Sequence, residues 1–121
     1  IPGSGGSARL AKMIGISRTK NIIMRGKRLS GEEAFQLGIA CEVVEKSELE
    51  NMTNKIVKEL LGVSPLAQRT IKSVLNATQN ATLHTSIDLE GEAYGRLRSS
   101  NDFKEGVKSF SEKRPPSYKG N

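Results

Sequence analysis

With 121 residues and a mass of 13.2 kDa, the chain has room for one domain and too little for two. Leu, Ile, Val and Phe supply 29 of those residues, which argues against disorder throughout, but with no Trp, two Tyr and three Phe the interior is thin and aliphatic, and neighbouring polypeptide is expected to complete it. Nineteen Lys and Arg against thirteen Asp and Glu give a net charge of +6, which favours anionic partners without choosing among phosphate-bearing cofactors, nucleic acid and acidic membranes.

In chain order, Leu10, Met13 and Ile14 line a short helix that Gly15 closes, and Ile22 and Ile23 mark another that ends at Gly26. Ser30-Gly31-Glu32-Glu33 is a capping box, in which Ser30 and Glu33 each satisfy the other's free backbone N–H. Gly38 supplies the left-handed stop of a helix about two turns long. Cys41-Glu42-Val43-Val44 is the one run that reads as a short strand, with Cys41 buried as a small apolar group. Ser47-Glu48-Leu49-Glu50 repeats the box before a helix whose apolar face carries Leu49, Met52, Ile56, Val57, Leu60 and Leu61 and which stops at Gly62.

Ser64-Pro65 places a cap before a proline at the first helical position, and Leu66, Ile71, Val74 and Leu75 form the buried stripe of the helix that follows, up to the Asn76–Asn80 stretch. Thr82 caps a further helix through Leu83, Ile87, Tyr94 and Leu97, in which Gly91 and Gly95 are expected to admit a close neighbour. Ser100 or Asn101 starts the last helix, with Phe103, Val107 and Phe110 on one face, and Pro115-Pro116 stops it; the tail from Ser117 to Asn121 is polar and mobile unless docked. The chain reads as helix-rich, without repeats or low-complexity linkers.

Few residues carry chemistry. One cysteine excludes an internal disulfide and a cysteine-rich zinc site, and His84 is the only histidine, so no metal site is expected. His84 has no nucleophile or orienting carboxylate at diagnostic spacing and reads as a surface or interface residue. Glu32, Glu33, Glu48 and Glu50 sit in first helical turns, where the helix dipole explains them, while Glu90 and Glu92 point to different faces and only Glu90 and Tyr94 are spaced to meet. Three Asn-X-Thr matches, at Asn51, Asn76 and Asn80, come without a secretory segment, and no run approaches the roughly 18 residues of a membrane-spanning helix.

Two segments remain. Gly3-Ser4-Gly5-Gly6-Ser7 runs into a helix, so its backbone N–H groups suit a phosphate, a carboxylate or a developing oxyanion, although it is neither a P-loop nor a dinucleotide fingerprint. The terminal run from Phe110 to Lys119 joins rings to Lys108, Lys113, Arg114 and Lys119, a mixture suited to a nucleotide whose base stacks while its phosphates meet cations; a solvated basic end is the competing reading.

Taken together, these pieces resemble the crotonase, or enoyl-CoA hydratase/isomerase, superfamily. The resemblance rests on Ile1-Pro2-Gly3-Ser4-Gly5-Gly6-Ser7-Ala8-Arg9-Leu10 with Ile14-Gly15, on Gly26 to Ala34 with Gly38-Ile39-Ala40, on Val43-Val44 and Ser64-Pro65, and on Phe110-Ser111-Glu112-Lys113-Arg114. It implies a mostly α chain forming the C-terminal helical and trimerisation part of the α/β crotonase (β-β-α spiral) fold. On this reading, residues 1–45 end the core and residues 46–121 form the helical oligomerisation and lid region. Ser7 where Thr is common, and Ile39-Ala40 where Leu-Val is frequent, are mild departures that touch packing.

What the resemblance implies for function is an enzyme acting on acyl-CoA thioesters, with hydration of a trans-2-enoyl-CoA ahead of double-bond isomerisation. By position, the backbone N–H of Gly3 faces the acyl group, and Phe110 and Lys113 reach the adenine and phosphate end of CoA, commonly that bound by an adjoining subunit, with Lys119 and Arg114 as further contacts. The acid/base glutamates are expected before Ile1, so the catalytic set within this chain is empty and the chain alone should be inactive. No covalently bound cofactor is expected, CoA being part of the substrate. Partners implied are an acyl-CoA and further copies of the chain, as a trimer or dimer of trimers, rather than nucleic acid or a membrane. The expected compartment is the cytoplasm, or the mitochondrial matrix in a eukaryote. The alternatives are a basic helical nucleic-acid binder and a non-catalytic oligomerisation module.

Overall fold

The computed structural model describes residues 1–121. Seven α-helices follow in order: α1 (Gly6–Ile14), α2 (Ile16–Met24), α3 (Gly31–Gln36), α4 (Leu49–Leu61), α5 (Pro65–Thr78), α6 (Leu83–Arg98) and α7 (Asn101–Ser111), with one turn of 3-10 helix at Lys46–Glu48. Two compact units divide the chain, Ile1–Glu50 and Asn51–Asn121, and the division falls in the first turn of α4.

In the first unit α1 packs on α2. Gly15 joins them with φ 82°, a left-handed value that glycine adopts without penalty, and its N–H closes α1 on the Ala11 carbonyl at 3.0 Å. The buried Thr19 hydroxyl is satisfied within α2 by donating to the Gly15 carbonyl at 2.9 Å, and Ile14 is the one buried apolar side chain of this unit. The capping box of α3 forms as the sequence reads: Glu33 N–H donates to Ser30 Oγ at 3.1 Å and Ser30 N–H to Glu33 Oε2 at 2.8 Å. That backbone N–H of Ser30 is the main cause holding the Glu33 carboxyl below its ordinary range.

Two expectations fail here. Residues 41–44 are not a strand: none forms anywhere in the chain, so this run has no ladder to join, and Cys41 is exposed rather than buried. Ser47 lies inside the 3-10 turn instead of at the boundary of α4, because the chain enters α4 through that tighter turn, closed by Glu48 N–H on the Glu45 carbonyl at 2.9 Å.

In the second unit α5 packs on α6, and α6 on α7. Side-chain caps start all three. Ser64 Oγ accepts from Ala67 N–H at 3.1 Å with Pro65 in the first position, Thr82 Oγ1 from Thr85 N–H at 3.2 Å, and Ser100 Oγ from Phe103 N–H at 3.1 Å, which settles Ser100 as the last cap. Ser64 also donates to Asp102 Oδ2 at 2.6 Å. Ser64→Ala should therefore cost more than an ordinary cap, about 2 kcal/mol, read as a lower midpoint in thermal unfolding.

Apolar stripes form at the expected spacings but few are covered. Ala93, 4% exposed, is the one buried apolar residue of this unit, whereas Leu60 and Leu61 on α4, Ile71 and Leu75 on α5, and Val107 and Phe110 on α7 stay exposed. The stripe expected to be buried on α5 is thus only partly covered, with Leu66 and Val74 half-buried and Ile71 and Leu75 exposed. Gly91 and Gly95 admit no close neighbour from this chain either, since a Cβ at either would meet nothing within 4 Å.

Candidate functional site

Before α1 the chain makes a tight turn in which Ser4 has φ 55° and Gly5 φ 77°. Gly6 N–H donates to the Gly3 carbonyl at 3.0 Å, and Arg9 N–H to the Gly5 carbonyl at 2.9 Å. Gly5 is the N-cap and gives no side-chain cap, so the dipole end of α1 rests on backbone alone. At Gly3 itself neither a positive φ nor a crowded neighbour requires glycine, because a Cβ there would meet nothing within 4 Å.

In the second unit, taken by itself, the candidate residues lie at the end of α7. Lys113 N–H donates to the Phe110 carbonyl at 3.2 Å and Arg114 N–H to the Ser109 carbonyl at 3.1 Å, the paired bonds of a Schellman turn. The left-handed position of that turn is normally glycine; here Lys113 occupies it at φ 54°, which costs about 1 kcal/mol. The turn thus puts Phe110 and Lys113 within one helical turn of each other, and Phe110 is 88% exposed.

Beyond the turn, residues 114–121 are docked rather than mobile, and two carboxylates of α7 hold them. Glu105 accepts from both Arg114 terminal nitrogens, Oε1 from Nη1 at 2.6 Å and Oε2 from Nη2 at 3.0 Å, and Oε1 also takes the Ser117 N–H at 2.8 Å. These bonds, the Arg114 guanidinium first, pull the Glu105 carboxyl from 4.5 to about 2. Arg114 Nε donates to Glu112 Oε2 at 2.6 Å, so this guanidinium is committed to two carboxylates of its own chain.

Asp102, 4% exposed, holds the far end. Its Oδ1 accepts from the N–H of Lys119 at 2.9 Å and of Gly120 at 3.0 Å, its Oδ2 takes the Ser64 hydroxyl, and its own N–H donates to the Asn121 carbonyl at 3.0 Å. Burial pushes the Asp102 carboxyl up, but the hydroxyl of Ser64 and the amides of Lys119, Gly120 and Leu66 outweigh it and leave it below its usual range. Gly120 (φ 81°) fits closely on Pro65, where a Cβ would come within 3.2 Å of Cγ, and Arg69 Nη2 donates to its carbonyl at 3.0 Å.

The docked strap walls an apolar cleft of about 490 Å³ whose lining includes Tyr94, Leu97, Phe103, Val107, Phe110 and Tyr118. Gly106 makes room for Tyr118, whose hydroxyl lies 3.3 Å from where a Cβ would be. On its other side a polar hollow of about 380 Å³ is bordered by Lys104, Lys108 and Lys119 with Asp102 and Glu105. Of the remaining candidates, His84 is on the surface with Asp88 Oδ2 3.6 Å away, and Tyr94 lies under the Arg98 guanidinium, 5.9 Å from the ring centre, with no bond to Glu90 recorded. No group of His, Cys, Asp and Glu could hold a metal ion, and no helix is long and apolar enough to cross a membrane.

Sequence reasoning passed over Asp102 and Glu105. Their partners stand 38, 18, 17 and 9 residues away, and Asp102, in the first turn of α7, already has a local explanation.

Comparison with known proteins places this helical scaffold. It superposes over its whole length on 47% of the 1.8 Å crystal structure of an enoyl-CoA hydratase from Bacillus anthracis, with a TM-score of 0.96 and 36% identity, which defines it as part of a crotonase-type fold. Among curated proteins it is 32% identical to a short-chain-enoyl-CoA hydratase of Clostridium acetobutylicum, covering 93% of this chain and 43% of that protein. It is 35% identical to the mitochondrial methylglutaconyl-CoA hydratase of Mus musculus, covering 99% and 40%. Residues 1–121 all match the family described as Enoyl-CoA hydratase/isomerase, and the chain belongs to that family. It spans less than half the length of these relatives.

Proposed function

We propose that this chain is the C-terminal, mostly helical part of an enzyme acting on acyl-CoA thioesters, with hydration of a trans-2-enoyl-CoA as its reaction. The observation that carries this reading is the superposition of all 121 residues on about half of a solved enoyl-CoA hydratase; hydratases at 32% and 35% identity among the curated relatives support hydration, beside an isomerase of Streptococcus mutans at 35%. The carboxylates that add water across the double bond belong to polypeptide outside this chain. Residues 1–45 then finish the core and residues 46–121 form the lid and assembly region, and the apolar faces exposed on α4 to α7 are what a trimer or dimer of trimers would cover. No covalent cofactor is called for, and the compartment is the cytoplasm, or the mitochondrial matrix in a eukaryote.

Within this chain Gly3 supplies a backbone N–H at the acyl end, where the open space around its Cα leaves room for a thioester to approach. Phe110 offers an exposed ring for adenine, and Lys113 and Lys119 offer ammonium groups for phosphates. Arg114 supports the turn instead of contacting ligand, since Glu105 and Glu112 occupy it.

The test has two arms. The 121-residue chain should show no hydration of crotonyl-CoA above buffer, and turnover surviving removal of any longer contaminant would overturn the division of labour. In CoA titrations, Phe110→Ala and Lys113→Gly should each weaken binding about tenfold, equivalent to about 1.4 kcal/mol. Lys113→Gly is informative because glycine suits φ 54°, so its fold should be unharmed. Binding that is indifferent to both substitutions but falls steeply with salt for RNA would favour a nucleic-acid binder instead.

A further inference from the structure

The strap after α7 carries Lys113 at its near end and Lys119 at its far end, and each end is tied to a different carboxylate of the same helix. Glu105 clamps Arg114 and Ser117, beside Lys113; Asp102 clamps Lys119 and Gly120 and ties both to Ser64 at the head of α5. Neither carboxylate is available to a ligand. Asp102 is buried and accepts from every side, and both oxygens of Glu105 are taken by Arg114.

From this double clamp we infer that Asp102 and Glu105 are positioning residues for CoA recognition: they hold the strap in one conformation, with Lys113 fixed at its near end and Lys119 at its far end, for the phosphates of the ligand. The inference rests on the CoA reading above and adds to it the part that orders the site. Three features support it. The backbone of Lys119 is fixed by Asp102 directly, through its own N–H. The turn holding Lys113 is left-handed at a non-glycine residue, and the Arg114–Glu105 fork on the next residue restrains it. Tyr118, carried between the clamps, closes the cleft on which Phe110 borders.

A site whose competent conformation is only partly populated binds more weakly in proportion to that fraction, so a strap ordered in about a tenth of molecules would bind about tenfold more weakly. Glu105→Gln keeps the size of the side chain and removes the charge that makes the fork strong. In the full 121-residue chain it should weaken CoA about tenfold and speed amide exchange at Ser117, with helix content by circular dichroism unchanged. Thr82→Ala, which removes a helix cap and nothing of the strap, should lower thermal stability and leave CoA affinity as it was; a drop there would mean that general destabilisation explains the effect, and would overturn the inference. Asp102→Asn should act like Glu105→Gln, with the faster exchange at Lys119 and Gly120.

If Glu105→Gln loosens the strap and CoA binds unchanged in a chain that Lys113→Gly does weaken, the positioning role is wrong and the CoA reading stands. If wild type and Lys113→Gly bind CoA alike, the CoA reading falls and this role with it. A strap that stays ordered in both carboxylate variants also overturns the role.

Discussion

Acidification should release the C-terminal strap between about pH 4.5 and about pH 2, while the helices bearing no such clamp respond less. Glu105 titrates at about 2 in the fold against 4.5 for an ordinary glutamate, because the Arg114 guanidinium and the Ser117 N–H bond its ionised form. Asp102 is displaced in the same direction from 3.8. A carboxyl whose folded value is depressed contributes stability that is complete above its unfolded value and is lost as pH falls through the folded one. Both clamps therefore weaken on the acid side and neither weakens toward neutrality. Arg114 and Lys108 are the cations whose charge lowers Glu105. Amide exchange at Ser117, Lys119 and Gly120 reads the release directly: protection should be flat from pH 8 to pH 5 and decline below about 4.5. Protection unchanged down to pH 2 would show that the carboxylates do not hold the strap.

The largest single-residue effect on stability is expected at Ala93. It is the only apolar residue buried within Asn51–Asn121, on the helix that packs against both α5 and α7. Ala93→Asp would put a carboxylate at a position only 4% exposed to water, a change expected to exceed about 4 kcal/mol. A unit with so little covered apolar surface cannot absorb that, so α5 to α7 should lose their cooperative melt by circular dichroism. Leu61→Lys makes the contrast. Leu61 is already 77% exposed, and in the monomeric 121-residue chain its replacement should change stability by less than about 0.5 kcal/mol. A Leu61→Lys variant as damaged as Ala93→Asp would mean that the apolar face of α4 is covered in solution.

The helices were legible because their ends are written in local chemistry. Ser30, Ser64, Thr82 and Ser100 each cap a helix through a bond spanning three residues, a separation that sequence spacing displays. Cys41 to Val44 misled because β-branched neighbours signal extended backbone, whereas a strand also needs a partner, and the chain supplies none. Ser47 misled for a related reason: its box pattern is intact, but the chain turns there with a tighter helix than the pattern assumes. The apolar stripes were legible as stripes and wrong as a core, since periodicity marks the face a helix hides without saying that the chain itself hides it.

At the candidate site, Phe110 and Lys113 lie in one short segment, so a reading of the chain sets them side by side, and the family resemblance proposes them by position. The clamps could not, since Asp102 reaches back to Ser64 and forward to Gly120, and nothing in a run of residues announces a bond across 38 positions. Arg114 shows the cost of judging a cation by its charge alone: its neighbours in space, Glu105 and Glu112, had already claimed it.

The left-handed backbone at Lys113 makes that position a place where two selective pressures oppose each other. A lineage under pressure only to keep a rigid, heat-tolerant helix end would drift toward glycine there, whereas one that must capture an anion would retain the amine and tolerate the strain.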